Sequence, residues 1–212
     1  MFPPRAPFFL ENVGNLPVPH TPPRPSAKER PMTVSIRRAR ADDLDFIVAL
    51  FTHEDVEPFL AVVRAKEPSE ILGEIERSEQ EPDAFGVFVI EVDGARAGTM
   101  RFELSNRRSR IAHLGGLAVH PDFRGRKVAD TAARLFQRYL FDELGLHRLE
   151  MEIYGFNERA MAHAERSGFI HEGVRRKAFW RNEQWVDGVR YGLVVDDLEE
   201  ASASLPRSDA AT

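Results

Sequence analysis

The stretch Leu117-Ala-Val-His-Pro-Asp-Phe-Arg-Gly-Arg-Lys-Val-Ala129 carries the strongest chemical signal in the chain. Its apolar start is typical of a strand, Pro121–Asp122 of a turn, and the residues from Lys127 onward of a helix. Backbone N–H groups in such a loop, with the positive end of the helix, favour an anion, and Arg124 and Arg126 add positive charge. The segment predicts a pyrophosphate-binding loop, although a plain connection with solvated arginines fits the same pattern.

Two common phosphate-binding motifs are absent from the sequence. No Gly-Lys-Ser/Thr follows four residues after a glycine, as a P-loop requires, and no Gly-x-Gly-x-x-Gly marks a dinucleotide-binding fold. If the loop binds an anion, it is therefore neither a P-loop nor a dinucleotide-binding loop of that kind.

Composition excludes several classes of protein. The chain has 212 residues, no cysteine and a formal net charge of −5. Without cysteine there is no disulfide scaffold, no thiolate nucleophile and no metal site that needs Cys. The mild acidity disfavours nucleic-acid binding, and every apolar run is far shorter than the about 20 residues of a membrane-spanning helix. We expect a soluble cytoplasmic protein without metal, nucleic-acid or membrane partners.

Prolines indicate where the folded domain begins. Nine of the 14 prolines lie within the first 31 residues, a composition that favours extended, solvated backbone. Residues 1–31 are either a flexible arm or an incorrectly assigned start that precedes Met32. The sequence predicts one domain over residues 32–197 and a flexible tail over residues 198–212, where most side chains are small or polar.

The hydrophobic pattern predicts a mixed α/β domain. Strands are predicted over residues 33–37, 85–92, 97–104, 111–119, 149–154, 169–180 and 185–195. Helices are predicted to begin at Asp42 as N-cap and at Pro68, and to cover residues 127–144 and 158–166. Asp93–Gly94 is a strong hairpin signal, and Gly115–Gly116 inside a strand indicates a bulge or a close approach by another backbone or ligand.

The loop also resembles the acetyl-CoA loop of the GNAT superfamily of N-acetyltransferases, whose signature is R/Q-x-x-G-x-G/A. Arg124 and Ala129 match the first and last positions, whereas Lys127 stands where the family usually has glycine. We expect Lys127 to lie in the first helical turn with a negative φ, a conformation open to any residue. Its ammonium group would then help to bind a phosphate of CoA.

A second run of the chain carries the resemblance independently. Leu144-Gly-Leu-His-Arg-Leu-Glu-Met-Glu-Ile153, Asn157-Glu-Arg-Ala160 and Arg166-Ser-Gly-Phe169 resemble the Rim-type (ribosomal-protein alanine) and spermidine acetyltransferase branch. The resemblance covers roughly residues 33–195. It implies a sheet of about seven strands, mainly antiparallel, splayed between strands 4 and 5 and flanked by about four helices.

The resemblance further implies acetyl-CoA as co-substrate. The residues implied to hold it are Leu117, Ala118, Val119, Arg124, Gly125, Arg126, Lys127, Val128, Ala129 and Asn157. The pantetheine arm would pair with the strand backbone at Leu117 and Val119, with the thioester carbonyl near the Val119 N–H group. Asn157 would bind the same arm, and it also fits the N-cap of the helix that begins at Glu158.

The implied reaction is direct attack of a neutral amine on the thioester, for which a base helps. Glu152 is the first candidate base and His113 the second, and Tyr154 and Tyr191 could also transfer the proton. Each also has a purely structural explanation, as a half-exposed strand residue or a packed side chain. Many relatives carry a tyrosine acid where this chain has Ala164, and His163 would point about 100° away on a helix.

The acceptor is expected to be a primary amine, either a protein N-terminus or a small molecule. Residues 42–80 hold 11 acids against 3 bases, which suits a cationic amine but also fits solvated helix faces. Phe179, Trp180, Trp185 and Tyr191 either line the acceptor pocket or pack a core or homodimer. The alternative function is a non-catalytic acyl-CoA-binding or protein-interaction module on the same fold.

Overall fold

A computed structural model describes residues 32–60, 67–181 and 183–198. The predicted arm over residues 1–31 and nearly all of the predicted tail lie outside the described residues.

Within the described residues, seven strands form one sheet. They are β1 (Val34–Arg38), β2 (Phe85–Val92), β3 (Ala95–Asn106), β4 (Ile111–Val119), β5 (Arg148–Tyr154), β6 (Ile170–Arg181) and β7 (Gln184–Val194). Their order across the sheet is β1-β2-β3-β4-β5-β7-β6. Every neighbouring pair is antiparallel except β4 and β5, which are parallel. The predicted fold class is confirmed.

In the described part of the chain, four α-helices of eight residues or more flank the sheet. They are α1 (Leu44–Phe51), α2 (Pro68–Gln80), α3 (Val128–Arg138) and α4 (Glu158–Arg166), and α3 continues into a π-helical turn, Tyr139–Glu143. The predicted N-cap at Asp42 is wrong, because a short 3₁₀ turn, Ala41–Asp43, precedes α1. There the Asp43 carboxylate, not that of Asp42, accepts a hydrogen bond from the Arg40 N–H at 2.8 Å. None of the described helices is long and apolar enough to cross a membrane.

The helices cover both faces of the sheet, so the central strands are apolar on both sides. On one face, α1 and α2 pack Ile47, Ile71 and Ile75 against the side chains of β2. On the other face, α3 and α4 pack against the larger part of the core, where Phe136 and Ala164 are buried. Burial on both faces explains why the side chains of β2 are apolar almost without interruption, instead of at every second position.

The hairpin between β2 and β3 turns at Asp93 and Gly94, as predicted. Both residues have positive φ, 51° and 83°, which a two-residue hairpin turn of this kind requires. The Asp93 carboxylate also accepts a hydrogen bond from the Thr33 N–H at 2.9 Å. The turn thereby ties β1 to the hairpin.

Candidate active site

The pairing of β4 with β5 is short, and this determines where the site lies. Only Ile111–His113 pairs with Arg148–Glu150, and the two strands separate beyond those residues. A bulge in β4 lies just past the last pair. Thr99 pairs with Ala118, and Arg101 pairs with Gly115. Between these two pairs β4 advances by three residues while β3 advances by two, so β4 contains one extra residue.

The bulge depends on Gly116. Its φ of 62° lies in the left-handed region, which glycine adopts without steric cost. The Thr99 hydroxyl donates a hydrogen bond to the Gly116 carbonyl at 3.0 Å and holds the bulge against β3. Because bulges increase twist and end strand pairing, this bulge accounts for the opening of the seam between β4 and β5. The bulge predicted at Gly115–Gly116 is confirmed.

A cavity of about 560 Å³ occupies the opened seam. Leu114–Val119 of β4 and Met151–Tyr154 of β5 form its sides. The remaining walls come from the segment after α1, the loop before α3, the facing sides of α3 and α4, and Phe179 of β6. The cavity therefore reaches both faces of the sheet.

The edge of β4 that faces the cavity offers backbone hydrogen-bonding groups. The His120 N–H donates to the Ala97 carbonyl of the β3 side at 2.8 Å. Because successive residues of a strand direct their amides to opposite edges, the Val119 N–H faces the opened seam. The strand edge can therefore pair with an extended ligand, as another strand would.

The loop before α3 has a different backbone from the one predicted. Lys127 is the N-cap of α3 with a φ of 58° and a ψ of 20°, so it is left-handed and not in the first helical turn. The expectation of a negative φ at Lys127 is wrong. Gly125 is also left-handed, with a φ of 77°. Such turns direct successive N–H groups into one concavity, at the positive end of an eleven-residue helix.

The Arg124 side chain is engaged inside the protein. Its Nε donates to the Val119 carbonyl and one Nη donates to the Asp55 carbonyl, both at 3.1 Å. The other Nη lies 3.7 Å from the Asp55 carboxylate. Desolvation and the nearby Arg159 lower the pKa of Arg124. Arg124 thus connects the end of β4 to the segment after α1, a role that the sequence did not suggest.

Nine of the ten residues expected to hold CoA line the cavity: Leu117, Ala118, Val119, Arg124, Gly125, Lys127, Val128, Ala129 and Asn157. The tenth, Arg126, is exposed and lies outside the lining. Asn157 also caps α4, since its Oδ1 accepts a hydrogen bond from the Ala160 N–H at 3.1 Å. Because Oδ1 is engaged in this cap, the NH₂ group of the Asn157 side chain is the part that can donate to a ligand carbonyl.

Glu152 lies on the cavity wall with one carboxylate oxygen engaged and one buried. Its Oε2 accepts a hydrogen bond from Arg175 at 2.8 Å. Its Oε1 is buried and has no hydrogen-bond partner among the described residues. Gly188 of β7 provides the space, because a Cβ at that position would collide with this oxygen. The unpartnered oxygen is equipped to accept a proton.

The other predicted proton-transfer residues are placed differently. Tyr154 lines the cavity two residues beyond Glu152, where its ring packs against Phe179 with centroids 5.1 Å apart. His113 precedes the opening of the seam, between Glu103 and Glu150 on the neighbouring strands, and does not line the cavity. Burial lowers the pKa of His113 and the charge of Arg101 adds to this, whereas the negative charges of Glu150 and Glu103 partly oppose it.

The position of the missing tyrosine lies on the wall between α3 and α4. Ala164 is 1% exposed and lines the cavity, and His163 lines it as well. His163 does not point away from the site as expected, because the cavity extends sideways toward α3. There its Nδ1 lies 2.8 Å from the Asp130 carboxylate. Desolvation lowers the pKa of His163, and the hydrogen bond to Asp130 only partly opposes this.

The acids that line the cavity are paired with basic side chains, and so is the buried Asp43 that precedes α1. Asp43 is fully buried and accepts hydrogen bonds from Arg37 at 2.7 and 2.9 Å and from Arg96 at 2.6 Å. Burial alone would raise the pKa of Asp43, but these hydrogen bonds hold it well below its usual range. Across the cavity-facing part of the described chain, each acid has a basic partner: Asp55 with Arg124, Asp130 with His163 and Glu152 with Arg175.

The aromatic residues of the final hairpin divide into three groups. Phe179 lines the cavity. Tyr191 belongs to the core, where its hydroxyl donates to Glu165 at 3.1 Å and burial raises its pKa. Trp180 and Trp185 contact each other edge to face and are 51% and 59% exposed, outside the cavity lining.

Sequence reasoning missed one wall of the site. Val56, Phe59 and Leu60 line the cavity from the segment after α1, and Arg159 of α4 lies over the Phe59 ring at 5.5 Å. The apolar spacing of Val56, Phe59 and Leu60 is a signal for a buried turn. No local pattern links that turn to α4.

Comparison with known proteins identifies the architecture. A family model described as Acetyltransferase (GNAT) domain matches residues 33–170. Spermidine N(1)-acetyltransferase of Escherichia coli (strain K12) is 31% identical over 103 residues, which cover 49% of this chain and 55% of that protein. A putative ribosomal N-acetyltransferase of Bacillus subtilis (strain 168), YdaF, is 30% identical over 107 residues, covering 50% and 58%. The chain therefore spans little more than half the length of these two relatives.

Solved structures share the fold. The crystal structure of spermidine N-acetyltransferase from Vibrio cholerae in complex with CoA and spermine superimposes with a TM-score of 0.70 at 22% identity. The alignment covers 77% of this chain and 96% of that chain. At this identity the similarity concerns the fold.

Proposed function

Because the chain belongs to the GNAT acetyltransferase family, we propose that it transfers an acetyl group from acetyl-CoA to a primary amine. The observation that carries the proposal is the cavity in the seam between β4 and β5. It joins the loop at residues 124–127, whose backbone N–H groups are suited to an anion, to a carboxylate with an unpartnered oxygen. A thioester carrier and an amine can meet there from opposite faces of the sheet.

The residues present fit CoA in chemical terms. Left-handed Gly125 and Lys127 gather backbone N–H groups at the start of α3, where a pyrophosphate would be held. The Val119 N–H and the NH₂ group of Asn157 would hold the pantetheine arm. Arg124 supports this end of the site by fixing the Val119 carbonyl and Asp55 rather than by contacting phosphate. When bound, acetyl-CoA supplies the thioester carbonyl that the amine attacks.

The chain's own contribution to the chemistry is proton transfer and charge stabilisation. An amine with a pKa of about 10.4 is almost entirely protonated at pH 7, so a proton must leave before or during attack. Glu152 Oε1 would accept that proton, directly or through a water, while Arg175 holds Oε2. The Val119 N–H would stabilise negative charge on the carbonyl oxygen. Tyr154 and the His163–Asp130 pair are candidates to return a proton to the departing thiolate.

The acceptor is proposed to be either a protein N-terminus or a small-molecule amine. The wall formed by Val56, Phe59, Tyr154 and Phe179 is apolar and aromatic, and an ammonium ion is attracted to aromatic faces. Asp55 and Asp130 already have basic partners, whereas Glu152 keeps one oxygen without a partner among the described residues, so the aromatic wall and Glu152 Oε1 are the features that would receive the amine.

A thiol-release assay tests the proposal. The full chain is incubated with acetyl-CoA and a panel of peptides with free N-termini, monoamines and polyamines, and free thiol is measured over time. We expect thiol release that depends on one class of amine, and mass spectrometry of that amine should show a gain of one acetyl group. Acetyl-CoA binding without turnover on any amine would instead favour a non-catalytic acyl-CoA-binding module, which the alanine at position 164 makes a specific alternative.

A further inference from the structure

The cavity continues beyond the place where the thioester would lie. It passes Ala164 and reaches the C-terminal ends of α3 and α4, where Phe136, Gln137, Ser167 and Phe169 line it. This region is distant from the loop at residues 124–127, since those residues lie at the opposite end of α3. A pantetheine arm entering from the loop would not need this space.

The size of the region follows from small side chains on the two helices. Ala133 of α3 and Ala160 and Ala164 of α4 all line the cavity. A larger residue at Ala164 would divide the cavity at that level. Along α4, Ser167 lies three residues beyond Ala164, an axial distance of about 4.5 Å. An acetyl methyl group adjacent to Ala164 would not reach Ser167.

Ser167 supplies an independent sign of a ligand. It is 9% exposed, it lines the cavity, and its Oγ is buried without a hydrogen-bond partner in the described part of the chain. Buried hydroxyl groups are normally hydrogen-bonded, so a group that enters the cavity is expected to satisfy this one. Gln137 fixes the position, because its Nε2 donates to the Ser167 carbonyl at 2.8 Å.

From these observations we propose that the protein, besides acetyl, also transfers longer acyl groups with a hydrogen-bonding atom near the far end that bonds to Ser167 Oγ. The proposal rests on the proposed function and specifies its donor. The amine nitrogen forms a bond to the thioester carbonyl carbon, and the carbon–sulfur bond breaks. The amine proton goes to the base, and the departing thiolate takes up a proton to give CoA. The chain of the acyl group would lie along the wall formed by Ala133 and Ala164.

Isothermal titration of the full chain with CoA, acetyl-CoA, butyryl-CoA and 3-hydroxybutyryl-CoA tests the donor. We expect 3-hydroxybutyryl-CoA to bind at least as tightly as acetyl-CoA. A tenfold weaker affinity for both four-carbon thioesters than for acetyl-CoA would overturn the proposal. Failure of CoA and acetyl-CoA to bind at all would overturn the proposed function together with it, so the two failures are distinguishable.

The variant Ala164→Val narrows the cavity at its middle. We expect the ratio of the Kd for 3-hydroxybutyryl-CoA to the Kd for acetyl-CoA to rise tenfold or more. Ala162→Val is the matched control, since Ala162 lies on the same helix but is exposed to solvent. A ratio that rises equally in both variants, or in neither, would contradict the proposal. Melting temperatures establish that both variants fold.

The variant Ser167→Ala tests the proposed hydrogen bond between Ser167 Oγ and the far end of the acyl group. We expect it to weaken binding of 3-hydroxybutyryl-CoA about threefold to tenfold while the Kd for butyryl-CoA changes less than twofold, because butyryl has no atom to bond to the hydroxyl. If Ser167→Ala weakens free CoA as much as 3-hydroxybutyryl-CoA, Ser167 serves the pantetheine arm and the proposal is wrong. Equal loss for butyryl-CoA and 3-hydroxybutyryl-CoA would also overturn it.

Discussion

The two halves of the seam between β4 and β5 differ in what the strand edges contact. In the first half, Ile111–His113 and Arg148–Glu150 form an ordinary parallel ladder. In the second half, a left-handed glycine turns β4 away, and the strand edges face a cavity instead of each other. The chain thus keeps a continuous sheet where it needs stability and leaves backbone groups available where a ligand can pair with them.

The largest expected effect is a loss of kcat, and it should distinguish two carboxylates on β5. Glu152 lies in the open half, and Glu150 lies in the paired half, where it bonds to Ser105 and Arg148. Glu152→Gln should lower kcat by about 10²–10⁴-fold, because it removes the oxygen that accepts the proton. Steady-state kinetics on the amine identified by the thiol-release assay measures this.

Glu150→Gln is the control for that prediction. It has the same chemistry, the same strand and the same face, so its kcat should stay within about twofold of the unaltered protein. Equal losses in the two variants would remove Glu152 from the proton-transfer role.

The second prediction concerns the bulge that separates the two halves. Gly116→Ala should lower the free energy of unfolding by about 1–2 kcal/mol, because an L-residue is disfavoured at the left-handed φ of Gly116. Gly115→Ala should change it by less than about 0.5 kcal/mol, since its new Cβ would be 3.5 Å from Arg101 Nε, an ordinary contact. Urea unfolding of both variants distinguishes them. A larger loss for Gly115→Ala would contradict the assignment of the bulge.

The third prediction concerns Arg124, which lines the cavity in the open half of the seam. Arg124→Ala should weaken acetyl-CoA binding about tenfold, or about 1.4 kcal/mol, because the variant releases the Val119 carbonyl and Asp55. Arg134→Ala, an exposed arginine on α3, is the control and should leave the Kd unchanged within error. Isothermal titration measures both. If the two arginines have the same effect, the loss reflects overall charge and not the connection through Arg124.

The smallest effects are expected at Lys127, because two consequences of one substitution oppose each other. Lys127→Gly should raise the free energy of unfolding of the unliganded protein by about 0.5–1 kcal/mol, since glycine adopts a left-handed backbone at no steric cost. It should also weaken CoA binding by about 0.5–2 kcal/mol through loss of a charged contact, an effect that decreases as salt is added.

Lys177→Gly is the matched control for Lys127. Lys177 is a second left-handed lysine, with a φ of 52°, at the irregular pairing of β6 with β7 and outside the cavity lining. Lys177→Gly should raise the free energy of unfolding without any change in CoA affinity. Tighter CoA binding by Lys127→Gly would indicate that the lysine obstructs the site.

Elements that follow local rules were predictable from the sequence. Short apolar or alternating runs located the strands, Asp93–Gly94 marked the hairpin, and Gly115–Gly116 indicated the bulge, because each depends on residues close together in the chain. The boundaries of β4 and α4 agree with the structure at both ends. The apolar periodicity of the longest predicted helix is also confirmed, although its last part is a π-helical turn.

Features that depend on tertiary packing were not predictable. The backbone of Lys127 is set by the way the loop joins β4 to α3, and propensity alone favours a negative φ. Arg124 bonds to Asp55, which lies 69 residues earlier in the chain, and His163 bonds to Asp130, 33 residues earlier. The sequence identified these side chains as charged or titratable, but only the fold determines which of them meet.

Amide hydrogen exchange tests the central claim most directly. Residue-resolved exchange is measured by NMR with and without acetyl-CoA, and the two halves of β4 are compared in the same experiment. If the opened seam binds the pantetheine arm, exchange at Leu117 and Val119 slows on ligand addition while exchange at Ala112 stays the same. Protection elsewhere in the protein with no change at Leu117 and Val119 would contradict the account.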